Sequence, residues 1–138
     1  MSIKDKAVQL FKEGKYNCCQ AVVCAYCDEQ GMDDKEIFKL AEGFGGGMGG
    51  MQETCGALTG AFMSIGMIGS AGDKANPTAT KQDTYQAVRD VAEEFVNCNG
   101  SMYCRDLKRM VDGKQVVSCQ QCVETAAEIV EKAICAKK

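Results

Sequence analysis

The chain has 138 residues, of which 46% are hydrophobic and 25% charged, and its formal net charge is −3. This length and composition predict a single globular domain over residues 1–138. Acidic and basic residues are interspersed, so the sequence offers neither a basic patch for nucleic acid nor a polybasic run for a membrane surface. Because a membrane-spanning helix needs ~20 largely apolar residues, we also expect no stable membrane insertion.

Ten cysteines and no histidine distinguish the composition. The first residues lack the apolar stretch of a secretory signal, so we expect a reducing, cytoplasmic location. In such a compartment, cysteine-rich sequences indicate thiol chemistry or metal binding rather than a disulfide framework. The lack of histidine excludes Cys–His nucleophile pairs, histidine-ligated zinc and haem with a histidine axial ligand.

Three helices are predicted in the first third of the chain. Apolar residues at helical spacing predict the first helix over residues 2–13. Asn17 is a favourable N-cap for the second helix, which Gly31 ends. Asp33 or Asp34 caps the third helix.

Residues 43–50 contain six glycines and cannot form a stable regular element, so they predict a loop. The loop lacks the Gly-Lys-Ser/Thr ending of a phosphate-binding loop, and no strand precedes it, which argues against nucleotide binding. We expect it instead to wrap closely around a neighbouring helix or a cluster, with its N–H groups directed at Cys55. The candidate cofactor-contacting residues are Gly45, Gly46, Gly47 and Gly49.

The second half of the chain is also helical. Glu53-Thr54 opens a fourth predicted helix that runs to about Gly69, and Thr78 or Thr80 starts a fifth that ends at Asn99-Gly100. A short helix and a last helix follow Ser101 and Ser118, with an Asp112-Gly113 turn between them. We therefore predict an all-α, single-domain bundle of five to seven helices, with the Gly-rich loop between helices three and four.

Four cysteines fall in the first turn of four predicted helices. Free N–H groups and the positive end of the helix dipole stabilise an anion at such positions. A thiol placed there has a lowered pKa, and its thiolate is both a nucleophile and a metal ligand. We take Cys55 as the preferred nucleophile. The candidate catalytic residues, which are equally the candidate metal ligands, are Cys18, Cys55, Cys104 and Cys119.

The other cysteines have simpler explanations, because free cysteine often behaves as a small buried hydrophobe. Cys119 and Cys122 have the local spacing of a redox dithiol but lack the βαβ context of thioredoxin. Of the vicinal Cys18-Cys19, we expect one to face the site and the other the core. No role is assigned to Cys19, Cys24, Cys27, Cys98 and Cys135.

Several of these segments together resemble the C_GCAxxG_C_C family of redox-active proteins. The matching segments are Asn17-Cys18, Gly43-Phe44-Gly45-Gly46-Gly47-Met48-Gly49, Cys55-Gly56-Ala57-Leu58-Thr59-Gly60-Ala61, Cys104-Arg105 and a final cysteine before Val123. The resemblance implies four principal cysteines, namely Cys18, Cys55, Cys104 and Cys119, with Cys122 as the alternate for Cys119. A similar module occurs in split-Soret cytochrome c, which carries haem and an iron–sulfur centre, but this chain lacks the haem attachment motif.

We therefore predict a redox-active cysteine protein that uses thiolates at helix N-termini for thiol–disulfide or electron-transfer chemistry. One alternative is a four-cysteine metal site, with an iron–sulfur cluster favoured over zinc and haem excluded. Another is a non-catalytic helical interaction module. The expected partner is a redox protein that the sequence does not identify, and a homodimer stays open.

Overall fold

The computed structural model describes residues 2–137 as a helical bundle with one small hairpin. The prediction of an all-α bundle with a Gly-rich loop between the third and fourth helices is confirmed. In chain order, the described elements are α1 (Ile3–Lys12), α2 (Cys18–Glu29), α3 (Lys35–Ala41), a 3₁₀ turn (Glu42–Phe44), α4 (Gly56–Gly69), α5 (Lys81–Asn99), α6 (Cys104–Leu107), β1 (Met110–Val111), β2 (Lys114–Gln115) and α7 (Cys119–Lys137).

Asn17 is the N-cap residue of the second helix, as predicted, and it forms a capping box with Gln20. The side chain of Asn17 accepts a hydrogen bond from the N–H of Gln20, and the side chain of Gln20 accepts one from the N–H of Asn17. Two otherwise unpaired N–H groups are satisfied in this way. The side-chain amide of Asn17 also donates to the carbonyl of Glu42, at 3.0 Å, which fixes the start of α2 beside the end of α3.

The second helix is the centre of the bundle. Every residue from Cys19 to Cys27 is buried, and α2 packs against α1, α4 and α7. Gly60 of α4 permits the closest approach, because a Cβ at this position would lie 2.7 Å from the carbonyl oxygen of Cys19. The absence of a side chain at Gly60 therefore sets the α2–α4 spacing.

The glycine-rich loop is a series of tight turns in the left-handed backbone region. Gly46, Gly47, Gly49 and Gly50 have φ between 63° and 76°, which glycine adopts at little cost. A Cβ on Gly47 would lie 2.7 Å from the Cβ of Cys104 and equally close to backbone atoms of the next turn. Gly47 is therefore required both for its dihedral angles and for its contact with Cys104.

The predicted start of the fourth helix was wrong by a few residues. The helix begins at Gly56 rather than at Glu53-Thr54, because Thr54 forms an antiparallel bridge with Tyr103 and is held extended. Cys55 is consequently the N-cap residue of α4 and lies just before its first turn.

The short sixth helix also differs from its prediction. It begins at Cys104, with Tyr103 rather than Ser101 at the N-cap position, and it ends at Leu107. Ser101 instead accepts a hydrogen bond from the N–H of Tyr103, at 3.0 Å. The Asp112-Gly113 turn is present, and both residues have positive φ, as a two-residue hairpin turn between β1 and β2 requires.

Polar contacts join the outer helices. Lys4 at the start of α1 binds Glu131 through its N–H, at 2.7 Å, and Glu128 through its ammonium group, at 2.6 Å. Lys132 of α7 binds Glu94 of α5 at 2.7 Å. Within residues 2–137, no helix combines the length and the apolar character needed to cross a bilayer.

Candidate functional site

Five cysteine side chains converge on one small pocket at the helix starts. The pocket is lined by Cys18, Gly46, Gly47, Cys55, Gly56, Cys104, Leu107, Lys108, Val117, Cys119 and Cys122. The four principal candidates from the sequence all line this pocket. Cys122, which the sequence analysis gave as the alternate for Cys119, lines the pocket together with Cys119. Each of the five sulfurs is a free thiol or thiolate.

Backbone pairing places Cys55 beside Cys104. The N–H of Cys55 donates to the carbonyl of Met102 at 2.8 Å, and the N–H of Cys104 donates to the carbonyl of Glu53 at 2.6 Å. These bonds extend the Thr54–Tyr103 bridge and bring the starts of α4 and α6 together. Two cysteines that are distant in the chain therefore become neighbours through main-chain contacts alone.

Close packing brings Cys18 against the start of α4. A Cβ on Gly56 would lie 3.4 Å from the Cβ of Cys18 and 2.9 Å from the carbonyl oxygen of Phe44. The glycine loop holds the other side of α2, since a Cβ on Gly45 would lie 2.7 Å from the side-chain nitrogen of Asn17. Glycines at these positions let α2, the loop and α4 meet without a gap.

The glycine loop serves the site as a wall. Only Gly46 and Gly47 of the four glycine candidates line the pocket; Gly45 packs on Asn17, and Gly49 lies away from the sulfurs. The N–H groups that bind Cys55 are those of Ala57 and Leu58, in the first turn of α4. The prediction from the sequence was that the loop directs its N–H groups at Cys55, whereas the N–H groups of Met48 and Gly50 donate to the loop carbonyls of Phe44 and Gly45.

Cys18 and Cys119 form the outer of two sulfur pairs, and both are half-buried. A hydrogen bond from the Cys18 thiol, with help from the charge of Lys108 and a bond from the side chain of Gln115, lowers the pKa of Cys119 to about 6. The same hydrogen bond, with burial, raises the pKa of Cys18. The opposite directions of the two pKa shifts favour a thiolate at Cys119 beside a thiol at Cys18.

Cys55 and Cys122 form the inner pair and are only 5% and 3% exposed. A hydrogen bond from the Cys122 thiol lowers the pKa of Cys55, and the N–H groups of Leu58 and Ala57 act in the same direction. The pKa of Cys122 is raised by that hydrogen bond and by burial. Charge repulsion links the pairs, since Cys119 raises the pKa of both Cys55 and Cys122.

Lys108 is a charged pocket residue that the sequence analysis missed. Burial works to lower its pKa, but the charges of Cys104, Cys119 and Cys18 outweigh burial and raise it. The fifth pocket sulfur belongs to Cys104. Burial raises the pKa of Cys104, and the charge of Lys108 lowers it by a smaller amount. Cys104 and Lys108 are four residues apart, a spacing that places side chains on one helical face, and this was the available signal.

The space between the sulfurs is small. The pocket leaves a cavity of about 10 Å³, which is the room of about one water molecule. Within the described residues, no group of three or more cysteine, aspartate, glutamate or histidine side chains is arranged to hold a metal ion. The thiolate donors suit iron–sulfur or zinc chemistry, but the cavity between them is too small for a cluster unless the pocket rearranges.

The remaining cysteines lie outside the pocket. Cys19, Cys24 and Cys27 are fully buried in α2, and burial raises the pKa of Cys19 to about 11 and that of Cys24 to about 12. Cys98 and Cys135 are exposed on α5 and α7. The vicinal Cys18-Cys19 thus divides between the site and the core.

Comparison with known proteins gives one family. The sequence profile of a family described as "Putative redox-active protein (C_GCAxxG_C_C)" matches residues 16–133. The chain belongs to the C_GCAxxG_C_C family. It is also similar to an uncharacterized protein of Archaeoglobus fulgidus, at 28% identity over 134 residues, which cover 93% of this chain and 88% of the relative. No solved structure matches it.

Proposed function

We propose that the pocket is a thiol–disulfide exchange centre in which Cys119 is the entering nucleophile and Cys18 the resolving thiol. The observation that carries this proposal is the outer pair itself: two half-buried cysteines line one small pocket beside Lys108, and the pKa of Cys119 is lowered there. The redox-active character of the C_GCAxxG_C_C family agrees with this chemistry.

The reaction needs a disulfide as its second substrate. The Cys119 thiolate attacks one sulfur of the substrate, forms a mixed disulfide and releases the other sulfur as a thiolate. Cys18 then loses its proton to the released thiolate and attacks the Cys119 sulfur. The Cys18–Cys119 disulfide forms, and the second substrate sulfur leaves as a thiolate, so the substrate gains two electrons and the protein loses two.

No histidine base is needed for the first step, because the lowered pKa of Cys119 favours its thiolate. Lys108 and Gln115 stabilise the thiolate before attack, and the free N–H groups at the start of α7 add to this effect. A thiol with a pKa close to the ambient pH combines a high thiolate fraction with good nucleophilicity. The pocket residues thus supply what an imidazole provides in other thiol enzymes.

Reaction with oxidised glutathione, followed by peptide mapping, tests this proposal. We expect a Cys18–Cys119 disulfide that dithiothreitol reverses. Cys18→Ser combined with Cys55→Ser should accumulate a glutathione adduct on Cys119, because neither neighbouring thiol is left to resolve it, whereas Cys98→Ser should behave as the wild type. If the wild-type protein forms neither a glutathione adduct nor a disulfide at Cys119, the proposal is contradicted.

The four-cysteine metal site is the alternative function. Its support is that five sulfurs converge where a dithiol needs two. The donor chemistry fits an iron–sulfur cluster, while the small cavity does not accommodate one without rearrangement. Anaerobic purification distinguishes the two functions. Stoichiometric iron and sulfide in the wild type, and their loss in Cys55→Ser, would show that the site holds a cluster and would contradict the exchange reaction.

A further inference from the structure

We propose that the inner pair, Cys55 and Cys122, is an internal acceptor for the disulfide formed at the outer pair, so that one chain stores four electrons. This inference rests on the proposed exchange reaction at Cys119. It gives a role to Cys55 and Cys122, which the exchange reaction at the outer pair does not use.

Exposure separates the roles of the two pairs. Cys18 and Cys119 are half-buried and reachable by a substrate, whereas Cys55 and Cys122 are 5% and 3% exposed. A substrate disulfide that carries bulky groups cannot reach a sulfur buried to this degree. The inner pair can therefore exchange only with a disulfide that the pocket itself contains.

Helical geometry connects the pairs. Cys119 and Cys122 are three residues apart on α7, so they lie on one face of that helix. Each pairs with a cysteine at the start of a different helix, Cys18 of α2 and Cys55 of α4. All four cysteines line the same small cavity. The first turn of α7, which carries Cys119 and Cys122, therefore places the inner pair next to the outer pair.

The transfer is a balanced exchange within the protein. The Cys55 thiolate attacks the Cys119 sulfur of the Cys18–Cys119 disulfide and releases Cys18 as a thiolate. Cys122 gives its proton to Cys18 and attacks the Cys55 sulfur, which releases the Cys119 thiolate. The products are a Cys55–Cys122 disulfide, a Cys18 thiol and a Cys119 thiolate, so the outer pair is ready for a second substrate disulfide.

The arrangement predicts how many disulfides the protein forms. With excess substrate disulfide, two molecules are reduced per chain, and both pairs end oxidised. With limiting substrate, external thiols can reduce the single disulfide only while it is at the outer pair, because burial keeps the inner product from them. Cys104 takes no part in either pair and stays a thiol.

Quantitative oxidation with oxidised glutathione tests the transfer. The full-length protein carries Cys98→Ser and Cys135→Ser, so that the exposed thiols outside the pocket do not react. Disulfides are mapped by mass spectrometry over time. We expect Cys18–Cys119 to appear first and Cys55–Cys122 to follow, with two disulfides per chain at the end point.

Two variants in this background complete the test. Cys119→Ser removes the entry sulfur, and formation of the Cys55–Cys122 disulfide should slow at least tenfold. The double variant Cys55→Ser/Cys122→Ser should form one disulfide only, Cys18–Cys119, and reduce one molecule of oxidised glutathione per chain where the parent reduces two. Circular dichroism establishes that both variants are folded.

The outcomes separate the two proposals. A parent protein that stops at the Cys18–Cys119 disulfide would overturn the inner acceptor and leave the exchange reaction standing. An inner disulfide that forms equally fast in Cys119→Ser would overturn the transfer, because the inner pair would then be oxidised directly. A parent protein without any pocket disulfide would overturn the exchange reaction itself.

Discussion

Among the five pocket sulfurs, two have a lowered pKa and three a raised one, and a neighbouring thiol is the largest cause for both lowered values. A thiol that donates a hydrogen bond favours the charged form of its partner and raises its own pKa in turn. Each pair thereby divides into a nucleophile and a proton donor. The assignment of roles follows from the pairing and does not require a separate acid or base.

The pH dependence of Cys119 reactivity follows from its pKa of about 6, against 9.0 for an ordinary cysteine. Its thiolate fraction should stay nearly constant from about pH 8.5 to pH 7 and fall only as the pH drops through about 6. Alkylation by iodoacetamide, measured on the Cys119 peptide, should follow this profile. The same peptide in chemically unfolded protein serves as the reference, and an identical profile there would contradict the prediction.

Substitution of Lys108 tests the cationic contribution. Lys108→Met keeps most of the side-chain volume and removes the charge that stabilises the Cys119 thiolate. The pH midpoint of Cys119 alkylation should rise by about one unit, as expected for loss of one nearby opposite charge. Lys114→Met, at an exposed position of the hairpin, is the control and should leave the midpoint unchanged.

At the scale of elements, glycine decides how closely α4 approaches α2. Gly60 faces the carbonyl of Cys19 at a distance that excludes a Cβ, whereas Gly66 of the same helix has nothing within 4 Å of an added Cβ. These two glycines of α4 therefore have opposite effects on stability. One is needed for packing, and the other only lowers helix stability.

This contrast gives a matched pair of variants. Gly60→Ala should lower the free energy of unfolding by about 2 kcal/mol or more, because the helices must separate. Gly66→Ala should raise it by about 0.5–1 kcal/mol through helix propensity. Urea denaturation measures both effects, and equal effects of the two substitutions would show that the α2–α4 contact is looser than described.

A second pair of variants tests the loop that walls the site. Gly47→Ala places a methyl group against the Cβ of Cys104 and strains a residue with φ of 73°. A cost of about 1–3 kcal/mol is expected, together with altered reactivity of the pocket thiols. Gly43→Ala has open space and an ordinary φ, so it should change neither stability nor thiol titration.

For the whole molecule, the sequence correctly predicted those features that depend on interactions between neighbouring residues. Asn17 is the expected N-cap residue, and Asp112-Gly113 forms the expected turn, because neighbouring residues suffice for both. The start of α4 was misplaced because Thr54 pairs with Tyr103, far away in the chain. Likewise, the Cys55–Cys122 pairing and the approach of Lys108 to Cys119 depend on how α4, α6 and α7 meet, which local patterns do not encode.

Oxidation should also change global stability. A Cys18–Cys119 disulfide would close a loop of about 100 residues, and the loss of unfolded-state entropy for such a loop is worth up to about 4.7 kcal/mol. The oxidised protein should therefore unfold at a higher denaturant concentration than the reduced one. Cys119→Ser should abolish this difference, and an unchanged midpoint after oxidation of the wild type would contradict the expected linkage.

The three sulfurs sealed inside α2, at Cys19, Cys24 and Cys27, have a practical consequence for following the molecule in solution. An alkylating reagent can reach them only when the central helix leaves the bundle, so their labelling rate reports how often the whole structure opens. The half-buried Cys18 and Cys119 and the exposed Cys98 and Cys135 would be labelled long before them. Unmodified protein thus contains its own probe of rare global opening, readable peptide by peptide without any engineered label.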